Sequence, residues 1–531
     1  MKRLFAIALA IVMIMALAVP AMAADPVNYS ITIDHPDATV NHTYEAYQIF
    51  TGTLDASGTK LSNVQWGTGI NSTALLTALD DDGEWGSHVS PATTAAELAD
   101  VLAAATTTTT MVETFRTAAG ANLTGTIAAS TNTAVAGKYV LNLDAAGAGY
   151  YLVKDKDGSL ENTHETYTNY ILRVVGKDTL HPKGGKTTVD KVIVDGGSAK
   201  EAADYSVGDT VHFRVTGTLP ANYTAFSQFY YEFSDKMSAG LTYTADSVKV
   251  YIENHGVKTI LENPTTGTPY YTVTHDAVAN TLSVKFEDLM NVAKVAGRTI
   301  DASSILIMEY DAVLNENAEL GQPGNRNDAQ IIFSNDPYSG GHGKTPWDYA
   351  WAFTWKLDVS KTDDLGNSLA NAKFRFYRES MGTKQYVILD AAKKVDGWTT
   401  DPAAATVIVS EKDEVMPIIG LEADTYYLEE IAAPDGYNLL DAPVPVMISA
   451  TLGAPDTSGG YTVTELTVKF GTADTADGNK DTGVVAGTVV NKSGSVLPET
   501  GGMGTTLFYI LGGFMVVGAA VLLVTKKRMA V

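Results

Sequence analysis

The sequence predicts a mainly β chain of tandem β-sandwich domains, with a few helical segments near its N-terminus. Three observations lead there. The central region is rich in Thr, Val, Tyr and Ala, punctuated by Gly, Asn and Asp-Gly turn signals. Alternation of period two recurs at Phe229–Asp235, Val248–Tyr251, Thr281–Phe286 and Asp328–Phe333, the pattern of short half-buried strands. Finally, 531 residues that are 45% hydrophobic and 18% charged suffice for several separate cores.

Taken in order, the chain opens with Lys2 and Arg3, an apolar run from Leu4 to Val19, and Ala21-Met22-Ala23. A basic start, an apolar stretch and a small-x-small site describe an export signal over 1–23, cut after Ala23. The first domain, 24–183, contains the helical stretches Ser72–Leu79 and Ala92–Ala105. A polar break at Lys183-Gly-Gly-Lys186 starts the second domain, 184–346, and Ser339–Pro346 is a Gly/Pro linker into the third, 347–495. Residues 496–531 hold Leu497-Pro498-Glu499-Thr500-Gly501, an apolar run Leu507–Val524 just long enough to span a bilayer, and the basic tail Lys526-Lys527-Arg528. This order of pentapeptide, span and tail resembles the cell-wall sorting signal of Gram-positive surface proteins. The resemblance implies that a sortase cysteine attacks the Thr500 carbonyl, Gly501 leaves, and Thr500 passes to an amine. The mature chain would be Ala24–Thr500, covalently attached to peptidoglycan after a transient stay in the membrane.

Charge and cysteine content exclude several functions. The formal net charge is −24, and −24 − 5 = −29 once the five basic residues at the two ends are removed. Such an acidic chain lacks the concentrated Lys and Arg that a nucleic-acid partner requires. With no cysteine, disulfides, thiolate metal sites, a cysteine nucleophile and a thioester are all ruled out. An exported protein of this kind must be held together by something else.

The distribution of polar residues on strand faces suggests what that is. In Trp355–Lys361, period two places Lys361 with Trp355, Leu357 and Val359. Glu430 shares a face with Tyr426 and Leu428, and Asn491 with Val485, Gly487 and Val489. One Lys, one Glu and one Asn therefore point into the third core, where an unpaired charge is prohibitively costly. Burial strips the proton from the lysine and keeps it on the glutamate. A neutral amine can then attack the Asn carboxamide while the acid polarises the carbonyl and relays protons; ammonia leaves and an amide cross-link remains. The bland alternative is a buried salt bridge, or side chains reaching solvent at strand ends.

Val359-Ser-Lys361-Thr-Asp363, Leu369–Phe374, Glu430-Ile-Ala-Ala-Pro-Asp-Gly-Tyr437 and Val489-Val-Asn491 together resemble the collagen-adhesin B-type (Cna-type) isopeptide domain, an immunoglobulin-like sandwich. The stretch beginning at Glu430 resembles the pilin E-box, with Ile431 where Thr is usual. The resemblance implies a Lys361–Asn491 bond with Glu430 as the catalytic acid. In the second domain Asp235 ends the stripe Phe229, Tyr231, Phe233, Lys191 alternates with Val189 and Ile193, and Asn327 lies on a face with Ala329, Ile331 and Phe333. This resembles the second domain of backbone pilins and implies a Lys191–Asn327 bond assisted by Asp235, with Asn335 and then Asn325 as rival partners. In the first domain the first Lys after the export signal is Lys60, so the opening strand Tyr29–Ile33 has no amine to offer. No cross-link is expected there, and this domain should be the least stable.

Leu180-His181-Pro182-Lys183 resembles the Tyr-Pro-Lys core of the pilin motif, with His181 for Tyr. That makes Lys183 the acceptor for the next subunit's Thr500, with Lys177 and Lys186 as fallbacks. An acceptor at one end and a donor at the other give an open head-to-tail polymer. The function implied is the major subunit of a sortase-built surface pilus, on the outside of the cell. Its partners would be sortase, further copies of itself, ancillary pilins and peptidoglycan. The alternative is a wall-anchored adhesin or ancillary pilin that binds a host ligand. No cofactor is called for. Enzyme-like strings fall short: Asp481-Thr-Gly483 lacks a second lobe, Ser57–Lys60 lacks its partner motifs, and Gly343-Lys-Thr345 lacks the upstream glycine of a P-loop. Asp80–Gly83 does not fit an EF-hand, Asp301–Ile305 does not fit Asp-x-Ser-x-Ser, and the nine histidines show no zinc spacing.

Overall fold

The structure is a computed structural model and describes residues 28–494 and 504–528, apart from 36–37, 56, 105–106, 183, 339 and 456–459. The export segment, Lys183 and the Leu497–Gly501 pentapeptide thus lie outside the described residues. The chain is mainly β. It divides into two compact units, 1–354 with 452–464 and 355–451 with 465–531.

The first unit begins with two sheets and three helices. Ser30–Asp34 lies between Lys138–Asn142, antiparallel, and Lys177–Leu180, parallel. The second sheet runs in the order Leu61–Trp66, Tyr44–Leu54, Gly149–Asp155, Asn169–Val174. Helices Ser72–Asp80, Ala95–Ala103 and Thr109–Ala121 bury Leu75, Leu79, Leu98 and Phe115 against Ile49, Phe50 and Trp85. Each starts at a side-chain cap: Asn71, Thr94 with Glu97 closing a capping box, and Thr108. The sequence signalled the first two helices. The third hides behind a threonine run whose low helix propensity is overridden by the burial of Met111, Phe115 and Ala119.

The same unit continues as a two-sheet sandwich. One sheet has the order Ser198–Lys200, Val189–Asp195, Thr210–Thr218, Ile305–Leu314, Lys249–Asn254, Val257–Ile260. The other has Ala202–Asp204, Asp348–Phe353, Asn325–Ser334, Tyr231–Met237, Thr281–Phe286, Thr272–Asp276. Their inner faces meet in a core that includes Phe213, Phe229, Tyr231, Phe233, Met308, Ile331 and Phe333. Here the structure departs from the boundary expected at 346. Asp348–Phe353 pairs antiparallel with Asn325–Ser334 and buries Ala350 and Ala352 in this core, so the sandwich extends to Thr354. Within the Gly/Pro stretch, His342–Lys344 is itself a short strand paired antiparallel with Ile332–Ser334, and it leads into one more strand.

The second unit starts at Trp355–Asp363, the middle strand of a three-stranded sheet between Met416–Leu421 and Val484–Asn491. A larger sheet comprises, in order, Val395–Thr399, Thr383–Leu389, Lys373–Ser380, Thr425–Ala432, Val444–Pro455, Tyr461–Phe470 and Ala476–Asp477. Trp355, Leu357, Val359 and Lys361 alternate inward as the sequence pattern requires. Gly487 is needed for close approach, since a Cβ there would come within 2.0 Å of the Phe470 ring. Separately, Gly504–Arg528 is one helix whose stretch Phe508–Lys526 has mean hydropathy 2.3, long and apolar enough to cross a membrane.

Candidate functional site

In each sandwich a buried Lys, an acid and a buried Asn are brought together, in two different ways. In the second unit, the first and last strands lie side by side and parallel, with Lys361 opposite Val489 and Asp363 opposite Asn491. This register sets the lysine and asparagine two positions apart on neighbouring strands, facing the same interior. Lys361 is 2% exposed and Asn491 fully buried. Among the described residues the amine's hydrogen-bond partners are the carbonyls Thr362 O and Val489 O, both at 3.3 Å. Burial pushes its pKa down to about 8, against the pull of Glu430 and Asp363.

Glu430 reaches this point from Thr425–Ala432 in the other sheet. Its Oε2 accepts from Asn491 Nδ2 at 2.9 Å and from the Leu440 amide at 3.0 Å. Asn491 Nδ2 also donates to the Asn438 carbonyl at 2.7 Å, and a backbone carbonyl can only accept, so the amide orientation is determined. The acid was expected to polarise the carbonyl and relay protons; its carboxylate here accepts from the amide nitrogen, and among the described residues no hydrogen bond joins it to the amide oxygen. Glu430 Oε1 and Asn491 Oδ1 have no hydrogen-bond partner among the described residues. The segment after Glu430 turns at Pro434-Asp435-Gly436, with Gly436 at φ +85°, and folds back so that Asn438 and Leu440 close over the asparagine. Sequence reasoning did not identify these two backbone contributors. The Asp-Gly turn signal was the available clue.

In the first unit the trio lies across the sandwich. Lys191, on Val189–Asp195, is fully buried and donates to Asp235 Oδ2 and, at 3.0 Å, to the Tyr310 hydroxyl. Asp235 and Asn327 are on adjacent antiparallel strands, Asp235 facing Ala329 and Asn327 facing Met237. Asn327 Nδ2 donates to the same Tyr310 hydroxyl at 2.6 Å, and Tyr310 also hydrogen-bonds Asp235. Tyr310 is therefore the hub joining amine, acid and amide, a residue the sequence reading missed. It sits in the inward stripe Leu306, Met308, Tyr310, Ala312, where a hydroxyl on an otherwise apolar face was the signal. The Lys191 amine also lies over the Phe213 and Tyr310 rings, 4.9 and 5.2 Å from their centroids. Burial pushes the Lys191 pKa down and the Asp235 pKa up, both toward the neutral forms.

The rival asparagines are occupied elsewhere. Asn335 Nδ2 donates to Leu160 O at 2.8 Å. Asn325 bridges Glu319 and Ala352 through its amide. Of the three, Asn327 is the one that shares a partner with Lys191. Another strand follows it, so a bond from Lys191 to Asn327 would join the first strand to the penultimate long one and not to the last. Lys177 and Lys186 are both exposed, and geometry does not choose between them.

Residues 356–460 match the family profile of the SpaA prealbumin-like fold domain, and residues 489–530 that of the LPXTG cell wall anchor motif. No curated protein matches the chain in sequence. Among solved structures, the T6 backbone pilin of serotype M6 Streptococcus pyogenes is 17% identical, with 90% of this chain and 100% of that one covered and a TM-score of 0.52. The major pilin SpaD of Corynebacterium diphtheriae is 16% identical over 88% of this chain and 98% of that one, with a TM-score of 0.47. A group B streptococcus pilus 2b backbone protein is 24% identical over 58% and 99%, with a TM-score of 0.42. The chain thus combines a backbone-pilin fold, shared with the T6 protein, and a prealbumin-like SpaA domain with an LPXTG anchor and apolar C-terminal helix: it is a wall-anchored surface protein of Gram-positive type.

Proposed function

We propose that this chain is the major structural subunit of a covalent pilus, polymerised by sortase and locked by two self-formed isopeptide bonds. The observation that carries the bond chemistry is the pairing of a buried, deprotonation-prone lysine with a buried asparagine and an acid in each sandwich. In each, the neutral Nζ attacks the Asn Cγ, the Cγ–Nδ2 bond breaks, and ammonia leaves with a proton originating on the amine. At 361–491 Glu430 carries that proton to Nδ2 directly. At 191–327 Asp235 takes it from Lys191, and Tyr310 passes a proton on to Asn327. Each bond turns over once, so the protein acts on itself and is otherwise a substrate. In the chain-entropy model, closing loops of this length removes about 5 kcal/mol of unfolded-state freedom per bond. Tension would also pass through covalent links in place of unzipping strands.

Polymerisation uses Thr500 as donor and Lys183 as acceptor, with the LPXTG anchor supplying the sortase substrate. The test has two parts. The intact mass of residues 24–500 should fall short by two ammonia molecules, with cross-linked peptides pairing Lys191 with Asn327 and Lys361 with Asn491. A full mass would leave the lysines as merely paired. On the cell surface, Lys183→Ala should abolish the high-molecular-weight ladder. An intact ladder would move the acceptor elsewhere or favour a wall-anchored adhesin.

A further inference from the structure

The N-terminal part of the chain, with no buried lysine among its described residues, has its own buried polar cluster. His35 follows the strand Ser30–Asp34, His42 precedes Tyr44–Leu54, and Glu165 precedes Asn169–Val174; they are 8%, 1% and 4% exposed. One ligand atom from each lies within 4.8 Å of the other two. His42 Nε2 meets Glu165 Oε2 at 2.8 Å.

The groups behind these three are arranged as they are behind metal ligands. His42 Nδ1 is held by Asp155 Oδ1 at 2.7 Å, and the other Asp155 oxygen accepts from the Thr168 amide and hydroxyl, both at 2.8 Å. His35 Nδ1 is held by the Tyr44 hydroxyl at 2.9 Å. Glu165 Oε1 accepts from the Thr39 amide and hydroxyl at 2.6 Å. Ligating histidines characteristically have the nitrogen away from the metal fixed by a carboxylate or another polar group, which sets tautomer and ring orientation. The charge also fits: a dication held by two neutral imidazoles cancels the buried carboxylates Asp155 and Glu165, which are otherwise costly to desolvate.

We infer that His35, His42 and Glu165 bind a divalent transition-metal ion of the zinc class. Two imidazoles and one carboxylate are a set zinc accepts, with water completing the coordination. On binding, the proton between His42 Nε2 and Glu165 is released to solvent as the metal takes its place. The ion ties the two segments flanking the opening strands to a point more than a hundred residues later, clamping a domain with no fully buried lysine among its described residues. The spacing was illegible as a motif because the third ligand is 123 positions from His42.

The experiment is a calorimetric titration of residues 24–500, without an affinity tag and stripped with a chelator, using zinc chloride as the probe. One ion per chain should bind, and His35→Gln should weaken it about 100-fold while leaving the circular dichroism unchanged. Cobalt(II) loading of the unsubstituted chain should give the visible absorption of a four- or five-coordinate site, a readout that needs no variant to fold. Absence of zinc binding, or equal affinity in His35→Gln, overturns the site. So does a cobalt spectrum of the hexaaquo ion. Neither outcome bears on the two isopeptide bonds, which are read by mass.

Discussion

The two lysine sites contain the same three functional groups, yet the acid holds opposite partners. At 191–327 the carboxyl of Asp235 grips the amine, and Tyr310 stands between them and the amide. At 361–491 the carboxyl of Glu430 grips the amide nitrogen, and the amine rests on backbone carbonyls. The cause is topological. Parallel neighbours in one sheet deliver Lys361 and Asn491 to the same spot, leaving the acid to approach from the facing sheet. Across the other sandwich, lysine and asparagine come from different sheets and a bridging hydroxyl fills the gap. The proposed reaction thus requires a dry site and a proton path between amine and amide, and tolerates either placement of the acid.

The comparison is broken most directly at the acids. Asp235→Ala should retain one ammonia and lose only the Lys191 cross-link; Glu430→Ala should do the same for Lys361. Losing about 5 kcal/mol of loop closure should lower the unfolding temperature of the affected sandwich by about 10–20 °C in a calorimetric scan. If one substitution cancelled both bonds, the sites would not be independent.

A sharper test is Tyr310→Phe. It removes the hub of one site and has no counterpart among the described residues of the other, so formation of the 191–327 bond should slow about 100-fold while 361–491 is untouched. Time-resolved mass spectrometry after synthesis would show it. An unchanged rate would mean that Asp235 reaches the amide without the hydroxyl.

The smallest expected effect concerns pH. In Asn491→Ala the Lys361 amine stays unacylated, with a folded pKa near 8 below its unfolded value of 10.5. Between those values the unfolded chain binds more protons, so stability should rise as pH increases from 8 toward 10. Below pH 8 both states are protonated and this contribution is flat. Melting temperatures at pH 7.5 and 9.5 would reveal the rise, which Lys361→Met combined with Asn491→Ala should eliminate.

Much of this was legible in the sequence because strand faces obey a strict period of two. Lys361, Glu430, Asn491, Lys191 and Asp235 could be placed on core faces by counting alone, and the structure buries all five. The anchor was legible because it is a linear signal, recognised from consecutive residues without any knowledge of the fold. What the count cannot supply is register and neighbours, since every second residue of a strand is equivalent to it. Asn325, Asn327 and Asn335 share one parity, and it is the packing of one sheet on the other that sets Asn327 beside Tyr310, while Asn335, just past the strand, meets Leu160. The same limit hid Tyr310, the closing contacts from Asn438 and Leu440, the strand Asp348–Phe353 beyond a Gly/Pro stretch, and the joining of His35, His42 and Glu165. Local sequence decides which side of a strand a residue takes, because backbone stereochemistry is local. Tertiary structure decides which residues meet there, because contacts between distant strands depend on the packing of whole sheets.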